Sequence, residues 1–533
     1  MARLDLAIVG GSVVDGTGAP ARPGDVGVAG GRIAAVAPAG ALSTGAGEVV
    51  DAAGRVVCPG FIDIMSHSLW PLMIDGRSVS KLAQGVTTEV MGEGYTPAPS
   101  GGLVGPPDPW VAGVSAEWLA RVAEWRRFGD WLDALADTGV SPNVASFLGG
   151  GTVREYACGM RAGPATSDEL AAMRRVVDEA MADGALGVAY ALIYPPDAYA
   201  GTDEIVEVAT AAARSGGMYV SHIRSEGDRL HAALDEALEI GRRSGAPVEI
   251  YHLKASGGPR NWGLMDGAVE RIEAARAQGQ AVTADMYPYA ASGTGLSARI
   301  PVSLAAGGRL FDRLAEPGVR EWVRGELDRG TPEVDDAGPP EDTFPIGLRL
   351  PEHQEYVGRN LVEIADSRRQ DWLDCLIDLL LAERQDVFTV YHEISEDNVR
   401  RQLGLEWIAV CSDGCGLDPA WAEPQGPVHP RDYGTFARVL GHYVRDERVL
   451  GLEDAVRKMT STVAERLGIR DRGRVAEGAW ADLVVFDPGR VRDTATYAEP
   501  HRLAEGVRDV WVNGVGTVRD GVHTGALAGR VLR

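Results

Sequence analysis

The sequence predicts an α/β fold, because strand-like apolar runs alternate with amphipathic segments of helical length through about 350 residues of its middle. Isolated histidines and carboxylates follow several of these runs, and parallel barrels carry their functional residues at the carboxyl ends of the strands. We therefore predict a TIM-like (β/α)8 barrel. Short strands separated by glycine-rich turns occur at both ends of the chain, and we expect them to build one small β-sandwich beside the barrel.

Taken in order, the elements predict three regions. Residues 1–57 and 466–533 are expected to form the two parts of the sandwich, and residues 58–465 the barrel. Thr166 and Glu169 have the spacing of a capping box, which predicts a helix start. The stretch 301–350 breaks the alternation and is expected to be an insertion. The clearest predicted strands are Val144–Leu148, Gly187–Tyr190, Met218–His222, Val248–His252 and Val282–Met286.

Composition limits the possible partners and the compartment. The net charge of −24 argues against nucleic acid or an anionic membrane as a partner. No apolar run reaches the roughly 18 residues of a transmembrane helix, and the first residues lack a signal-peptide core. Five dispersed cysteines predict reduced thiols, so we expect a cytoplasmic protein. No pattern indicates the oligomeric state.

Polar residues at or near strand ends form the candidate site. Any one of them alone is more often a core residue or, at Ser412-Asp413-Gly414, a helix cap. His222 and His252 lie about one strand–helix unit apart, so a barrel would bring them side by side. Imidazole and carboxylate groups together suit a divalent metal such as zinc. The set is His67, Glu93, His222, His252 and Asp413.

Short motifs are spread along nearly the whole chain. They are Pro59–Asp63, Gly85–Thr88, Ser221–Gly227, His252–Lys254, Asp285–Tyr289, Ser412–Gly414, His429–Gly434 and Gly478–Pro488. Together these motifs resemble the amidohydrolase superfamily and, within it, the N-acyl-D-amino-acid deacylase (D-aminoacylase) family. The resemblance implies a metal-dependent hydrolase with a barrel and a composite sandwich.

The resemblance also implies an activity and the residues that perform it. The expected reaction is hydrolysis of the amide of an N-acyl-D-amino acid to a carboxylate and a free D-amino acid. Asp413 is then the general base toward a metal-activated water and the acid toward the leaving amine. Lys254 and Arg431 are expected to hold the substrate α-carboxylate. Further expected substrate contacts are Tyr287 near the scissile carbonyl, Tyr194 in the pocket, and Ser292.

Two positions depart from the family pattern. Met65-Ser-His67 stands where the family has His-x-His, and a thioether is a poor zinc ligand. On the second strand, Glu93 falls nearest the family's cysteine ligand, with Glu89 as the alternative. We expect one tight Zn²⁺, or another divalent ion, bound by Glu93, His222 and His252. His67 either supports a weak second ion with Asp413 or contacts the substrate oxyanion.

Two other functions remain open from the sequence. The altered metal motif also fits an amidohydrolase that acts on another linear or cyclic amide, or on a peptide with a D-residue. Loss of one histidine also fits a barrel that binds a ligand or partner without catalysis. The retained acid, histidines and cations favour the hydrolase.

Overall fold

Eight parallel strands form a closed barrel in the computed structural model, which describes residues 3–105, 114–331, 333–334 and 338–533. The ring closes where Ser66 bridges Gly414 and the Asp413 N–H donates to the Met65 carbonyl at 3.0 Å. The predicted barrel is therefore confirmed. Its strands are Phe61–Asp63, Val86–Met91, Asn143–Ser146 with its continuation Leu148–Gly149, Gly187–Ala191, Met218–His222, Val248–Ile250, Val282–Met286 and Ile408–Val410.

Helices between the strands cover the outside of the barrel. The helix after the third strand begins at the predicted capping box, where Thr166 accepts from the Glu169 N–H and Glu169 accepts from the Thr166 N–H. These helices are Pro71–Ile74, Val79–Ala83, Ala116–Val122, Phe128–Thr138, Gly150–Cys158, Ser167–Asp183, Thr202–Arg214, Leu230–Ser244, Leu264–Ala277, Glu396–Leu403, Pro419–Ala422, Arg431–Arg438, the π-helix Val439–Asp446, Leu452–Lys458 and Ser461–Arg466.

Both ends of the chain contribute to one flanking sheet of nine strands, as predicted. The two parts meet where Val56–Pro59 pairs antiparallel with Leu483–Phe486. Strands from both parts line a separate apolar core, which includes Ile8 and Trp511. The predicted sandwich is thus one continuous sheet around its own core. The domain limits at residues 57/58 and 465/466 stay a prediction. The remaining strands are Leu6–Val13, Arg22–Ala29, Arg32–Ala37, Glu48–Asp51, Val507–Val512, Val515–Arg519 and Val522–His523.

A large insertion separates the seventh and eighth barrel strands. It carries a three-stranded antiparallel sheet and a core distinct from that of the barrel. The predicted insertion at 301–350 lies within it, apart from positions outside the described residues. Its later helices have ordinary amphipathic patterns, so periodicity alone does not separate them from barrel helices. The elements are Ser292–Gly295, Leu310–Leu314, Val319–Arg329, Thr343–Pro345, Leu361–Arg368, Trp372–Glu383 and Phe388–Tyr391.

Within the described part of the chain, no helix combines the length and apolar character needed to cross a membrane.

Candidate active site

The five predicted strand-end residues converge at the carboxyl-terminal mouth of the barrel. His222 is the last residue of the fifth strand, whereas the others follow the strands that precede them. Together they form two groups, each with three potential ligand atoms within 4.8 Å of one another. The first group is Glu93, His222 and His252, and the second is His67, Glu93 and Asp413.

Two glycines set the position of Glu93 just beyond the second strand. Gly92 has φ +112°, and a Cβ there would lie 2.2 Å from the Phe147 carbonyl oxygen. Gly94 has φ +60°. Because a side chain at Gly92 would collide with fixed backbone, glycine is needed for this close approach. The resulting turn directs the Glu93 carboxylate toward the histidines.

The first group has the donor set and the spacing of a metal site. Glu93 Oε1 lies 3.1 Å from His222 Nδ1 and 3.5 Å from His252 Nε2. Ligands about 2.0–2.1 Å from a tetrahedral ion lie about 3.3–3.4 Å apart, which matches these separations. Both imidazoles are nearly inaccessible, with side-chain exposures of 6% and 2%. This group therefore fits a tightly held divalent ion.

The second group uses the other oxygen of the same carboxylate. His67 Nε2 lies 3.2 Å from Glu93 Oε2 and 2.9 Å from Asp413 Oδ1. The His67 side chain is 34% exposed, so this group is the open side of the centre. Met65 is buried and contributes no nitrogen or oxygen side-chain ligand. The second group therefore consists of His67 and Asp413 with the shared Glu93 carboxylate, and Met65 adds no further donor to it.

His252 and Asp413 adopt left-handed backbone conformations, with φ +33° and +50°. Such conformations are strained for residues other than glycine and often mark functional positions. The Asp285 carboxylate accepts from the His252 N–H at 2.7 Å and holds this turn. The sixth strand ends at Ile250, so the predicted strand to His252 was too long. Lys254 therefore approaches His252 from the loop that follows this strand.

Glu226 also belongs to the site, although sequence reasoning did not identify it. Its Oε1 lies 2.9 Å from His252 Nδ1, and its Oε2 lies 3.7 Å from His222 Nε2. Lys254 Nζ donates to Glu226 Oε1 at 2.7 Å and lies 2.9 Å from His252 Nδ1. Glu226 follows His222 by four positions in the loop after the fifth strand. Spacing in a loop does not define side-chain direction, so no periodic signal indicated it.

The two predicted cations flank the ring of Tyr287. Arg431 lies 5.0 Å and Lys254 5.4 Å from the ring centroid. Arg431 Nη1 also lies 2.6 Å from Asp413 Oδ2. Among the described residues, the buried Tyr287 hydroxyl has no hydrogen-bond partner. A buried hydroxyl without a partner is costly, which favours a ligand there.

The insertion contacts one more predicted residue, Tyr194, and contains another, Ser292. Tyr194 forms a hydrogen bond with Thr294, and its ring packs edge-on against His222 at 5.6 Å. Ser292 begins the insertion sheet and donates to Glu393 at 2.6 Å. The Gly293 carbonyl accepts from Arg431 Nη2 at 3.1 Å. Tyr194 therefore packs against His222, a histidine of the centre, whereas Ser292 is held by its hydrogen bond to Glu393.

Charges within the site shift the pKa values of its groups. Burial favours neutral Glu93, but hydrogen bonds from three histidines outweigh it and hold its pKa well below the ordinary range. Burial lowers the pKa of His67, yet Asp413 and Glu93 raise it to about 10. Burial and Lys254 lower the pKa of His252, while Glu226 and Asp413 raise it to about 9. In the metal-free protein, the protons bound to His67 and His252 thus supply the positive charge that a metal ion would otherwise bring to the carboxylates.

Glu89, the alternative ligand, belongs to a buried polar layer beneath the site. Its carboxylate accepts from Ser66, Ser68 and Ser78, each at 2.5 Å. These three hydroxyl contacts satisfy both carboxylate oxygens without a metal. The structure therefore groups Glu93, and not Glu89, with the histidines.

Comparison with known proteins agrees with this architecture. The model of the amidohydrolase family matches residues 48–316 and 422–518. D-aminoacylase from Alcaligenes xylosoxydans xylosoxydans is 38% identical over 535 residues, which cover 99% of this chain and 97% of the relative. This similarity thus extends through the barrel, the insertion and both parts of the flanking sheet.

Solved structures agree over the same length. A D-aminoacylase structure, reported with one-metal activation and second-metal attenuation at a binuclear centre, has a TM-score of 0.82 at 36% identity and covers 99% of this chain and 100% of that one. An N-acyl-D-glutamate deacylase from Bordetella bronchiseptica, complexed with zinc and a phosphonate mimic of the tetrahedral intermediate, has a TM-score of 0.79 at 33% identity, with 100% of both chains covered. The chain belongs to the amidohydrolase family.

Proposed function

We propose that this protein is a metal-dependent hydrolase of N-acyl-D-amino acids, which releases a carboxylate and the free D-amino acid. The observation that carries the proposal is the convergence of Glu93, His222 and His252 beside Asp413 at the barrel mouth. D-aminoacylase and N-acyl-D-glutamate deacylase, which resemble the chain over nearly its full length, support the substrate class.

Glu93, His222 and His252 would hold the tight ion, and zinc suits this donor set. His67 and Asp413, with the second oxygen of Glu93, would offer a weaker position. When bound, the divalent ion supplies Lewis acidity that polarises the amide carbonyl and acidifies the attacking water. A carboxylate and two imidazoles also admit other divalent metals.

Asp413 is the proposed general base and acid. Its Oδ1 lies beside His67 and its Oδ2 beside Arg431, so both oxygens are oriented at the open side of the centre. From there, Asp413 takes a proton from the attacking water and delivers it to the leaving amine. His67, a partly accessible imidazole, can donate a hydrogen bond to the developing oxyanion.

Arg431, Lys254 and Tyr287 form the proposed substrate side. A guanidinium matches a carboxylate in geometry and charge, so Arg431 would bind the α-carboxylate with help from Lys254. The Tyr287 hydroxyl would reach the acyl carbonyl. Tyr194, together with the insertion residue Ser292, would line the remaining pocket.

The five free cysteines support the predicted cytoplasmic location.

A paired substrate panel tests the function. Zinc-loaded protein is assayed with N-acetyl-D- and N-acetyl-L-amino acids of neutral, acidic and basic side chains, and the free amine is measured. We expect hydrolysis of D-substrates, little of L-substrates, and none of either by an Asp413→Asn variant that retains its metal. Turnover of L-substrates or cyclic amides alone would contradict the proposed substrate class.

A further inference from the structure

Glu226 lies on the far side of both site imidazoles from Glu93. His222 turns Nδ1 toward Glu93 and Nε2 toward Glu226, whereas His252 turns Nε2 toward Glu93 and Nδ1 toward Glu226. The two rings are nearly perpendicular, at 88°, with centroids 4.4 Å apart. One carboxylate therefore faces the outer nitrogens of two rings whose inner nitrogens converge.

The tautomers of both imidazoles depend on this arrangement. A metal ligand must present a nitrogen lone pair, so the opposite nitrogen of a neutral ring carries the proton. At this centre the protonated atoms would be His222 Nε2 and His252 Nδ1, and each needs an acceptor. Within the described residues, the buried His222 Nε2 has no hydrogen-bond partner. Glu226 Oε2, at 3.7 Å, needs only a small shift to accept from it.

Glu226 is itself fixed and shielded. Only 4% of the residue is exposed, so water is a poor substitute as acceptor. Lys254 Nζ, at 2.7 Å, neutralises its charge and fixes Oε1, and the Glu226 carbonyl accepts from the Ser256 N–H at 2.8 Å. These contacts anchor the loop that follows the fifth strand. Rigid support of this kind is what orients metal ligands.

We propose that Glu226 is the positioning residue of the metal centre, which fixes the tautomer and the orientation of both His222 and His252. This inference rests on the proposed metal-dependent function. Glu226 acts through the two imidazoles and does not contact the reacting amide. Lys254 therefore also maintains the metal centre, through its ion pair with Glu226, in addition to its proposed contact with substrate.

Metal affinity, measured without any substrate, tests this role. Apo wild-type protein and Glu226→Gln are titrated with Zn²⁺ against a chromophoric chelator, and with Co²⁺ while the d–d absorption is recorded. We expect Glu226→Gln to bind Zn²⁺ about 10- to 100-fold more weakly and to shift the Co²⁺ spectrum, which reports ligand geometry. Glu226→Asp keeps the charge and should have an intermediate affinity.

Glu236→Gln is the matched control. It removes a carboxylate that binds Arg224 of the same loop at 2.9 Å and also accepts from Thr202. It should leave the metal affinity and the Co²⁺ spectrum unchanged. Circular dichroism of the apo variants checks folding, and the comparison relies on Glu226→Asp if the amide variant does not fold.

Two negative results are distinguishable. In the first, wild-type protein binds metal, and Glu226→Gln binds it as tightly and with the same Co²⁺ spectrum. Glu226→Asp takes its place if Glu226→Gln does not fold. The positioning role is then wrong, while the proposed function stands. If wild-type protein binds neither ion, the metal-dependent function and the inference fall together. An equal loss of affinity in Glu236→Gln would also overturn the role, since the effect would then not be specific to Glu226.

Discussion

Arg431 and Asp413 form a buried ion pair, in which Nη1 lies 2.6 Å from Oδ2. The Nη1 contact is not a well-aligned hydrogen bond, so the pairing is chiefly one of charge. Burial alone would raise the pKa of Asp413, but Arg431 and the neighbouring imidazoles hold it below its usual range. A substrate carboxylate that binds Arg431 would weaken this pair and leave Asp413 a stronger base.

Replacing Arg431 by Met should impair reaction with substrates that carry an α-carboxylate. A hydrogen bond to a charged group contributes about 1.5–3 kcal/mol, so we expect kcat/KM for N-acetyl-D-amino acids to fall by about 10- to 150-fold. Steady-state kinetics of amine release measures this. An N-acetylated amine without the carboxylate is the matched substrate, and Arg431→Met should lower its kcat/KM far less. Equal losses with both substrates would argue against the carboxylate role.

Glu89, in the second strand, and Glu93, just beyond it, should differ in metal binding. Glu93→Gln removes a ligand of the proposed tight site, so the purified variant should contain little zinc by elemental analysis. Glu89→Gln alters the serine-lined layer below and should retain about one equivalent, like wild type. Loss of zinc in Glu89→Gln, with zinc retained in Glu93→Gln, would instead identify Glu89 as the ligand.

The site residues at strand ends or within a few positions of them were predictable, whereas Glu226, farther along a loop, was not. Apolar runs placed the end of the fifth strand at His222, where the structure has it. Glu226 lies beyond this strand, where backbone torsions are not periodic and side-chain direction has no sequence signal. The same limit explains His252, which lies in a left-handed turn although the apolar run predicted a strand.

Metal uptake should release protons at neutral pH. The pKa values of His67 and His252, about 10 and about 9, leave both imidazoles protonated at pH 7 in the metal-free protein. Metal ligation requires neutral imidazole, so binding must displace the proton of His252. Zinc affinity should therefore rise with pH up to about 9 and then level off.

Calorimetric titration in buffers of different ionisation enthalpy counts the released protons. Glu93→Gln, which lacks a proposed ligand, should show neither strong binding nor release. A zinc affinity that is independent of pH between 6 and 9 would contradict the raised pKa of His252.

Lys81 and Asp63 form a fully buried ion pair, 2.6 Å apart, in the layer beneath the site. Lys81 also donates to Ser412 and to the Gly414 carbonyl next to Asp413. Lys81→Met would leave the Asp63 carboxylate buried without its cation, so the free energy of unfolding should fall by about 3–5 kcal/mol. Chemical denaturation of the apo protein, followed by tryptophan fluorescence, measures the change.

Two comparisons test whether the buried charge is the cause. Lys81→Met combined with Asp63→Asn should be less destabilised than Lys81→Met alone, because no uncompensated charge remains at Asp63. Arg174→Met breaks an exposed pair with Glu207 and should cost less than about 1 kcal/mol. A double variant less stable than Lys81→Met would contradict this explanation.

The insertion shows a second limit of sequence patterns. Periodicity indicated a break at 301–350, but the inserted unit extends from the strand that begins at Ser292 to the strand that ends at Tyr391. Its helix Trp372–Glu383 buries an apolar face as barrel helices do, although it packs on the separate core of the insertion. Tertiary contacts decide whether such a helix packs on the barrel or on the insertion, and the helical pattern of its sequence does not reveal those contacts.

Anomalous diffraction from zinc-loaded crystals, recorded on both sides of the zinc absorption edge, tests the proposed metal centre most directly. We predict a strong peak about 2.0–2.2 Å from Glu93 Oε1, His222 Nδ1 and His252 Nε2, with Asp413 beside its open face. Zinc-replete crystals with no peak among these three atoms, or with zinc bound only elsewhere, would contradict the proposed centre and the mechanism that depends on it.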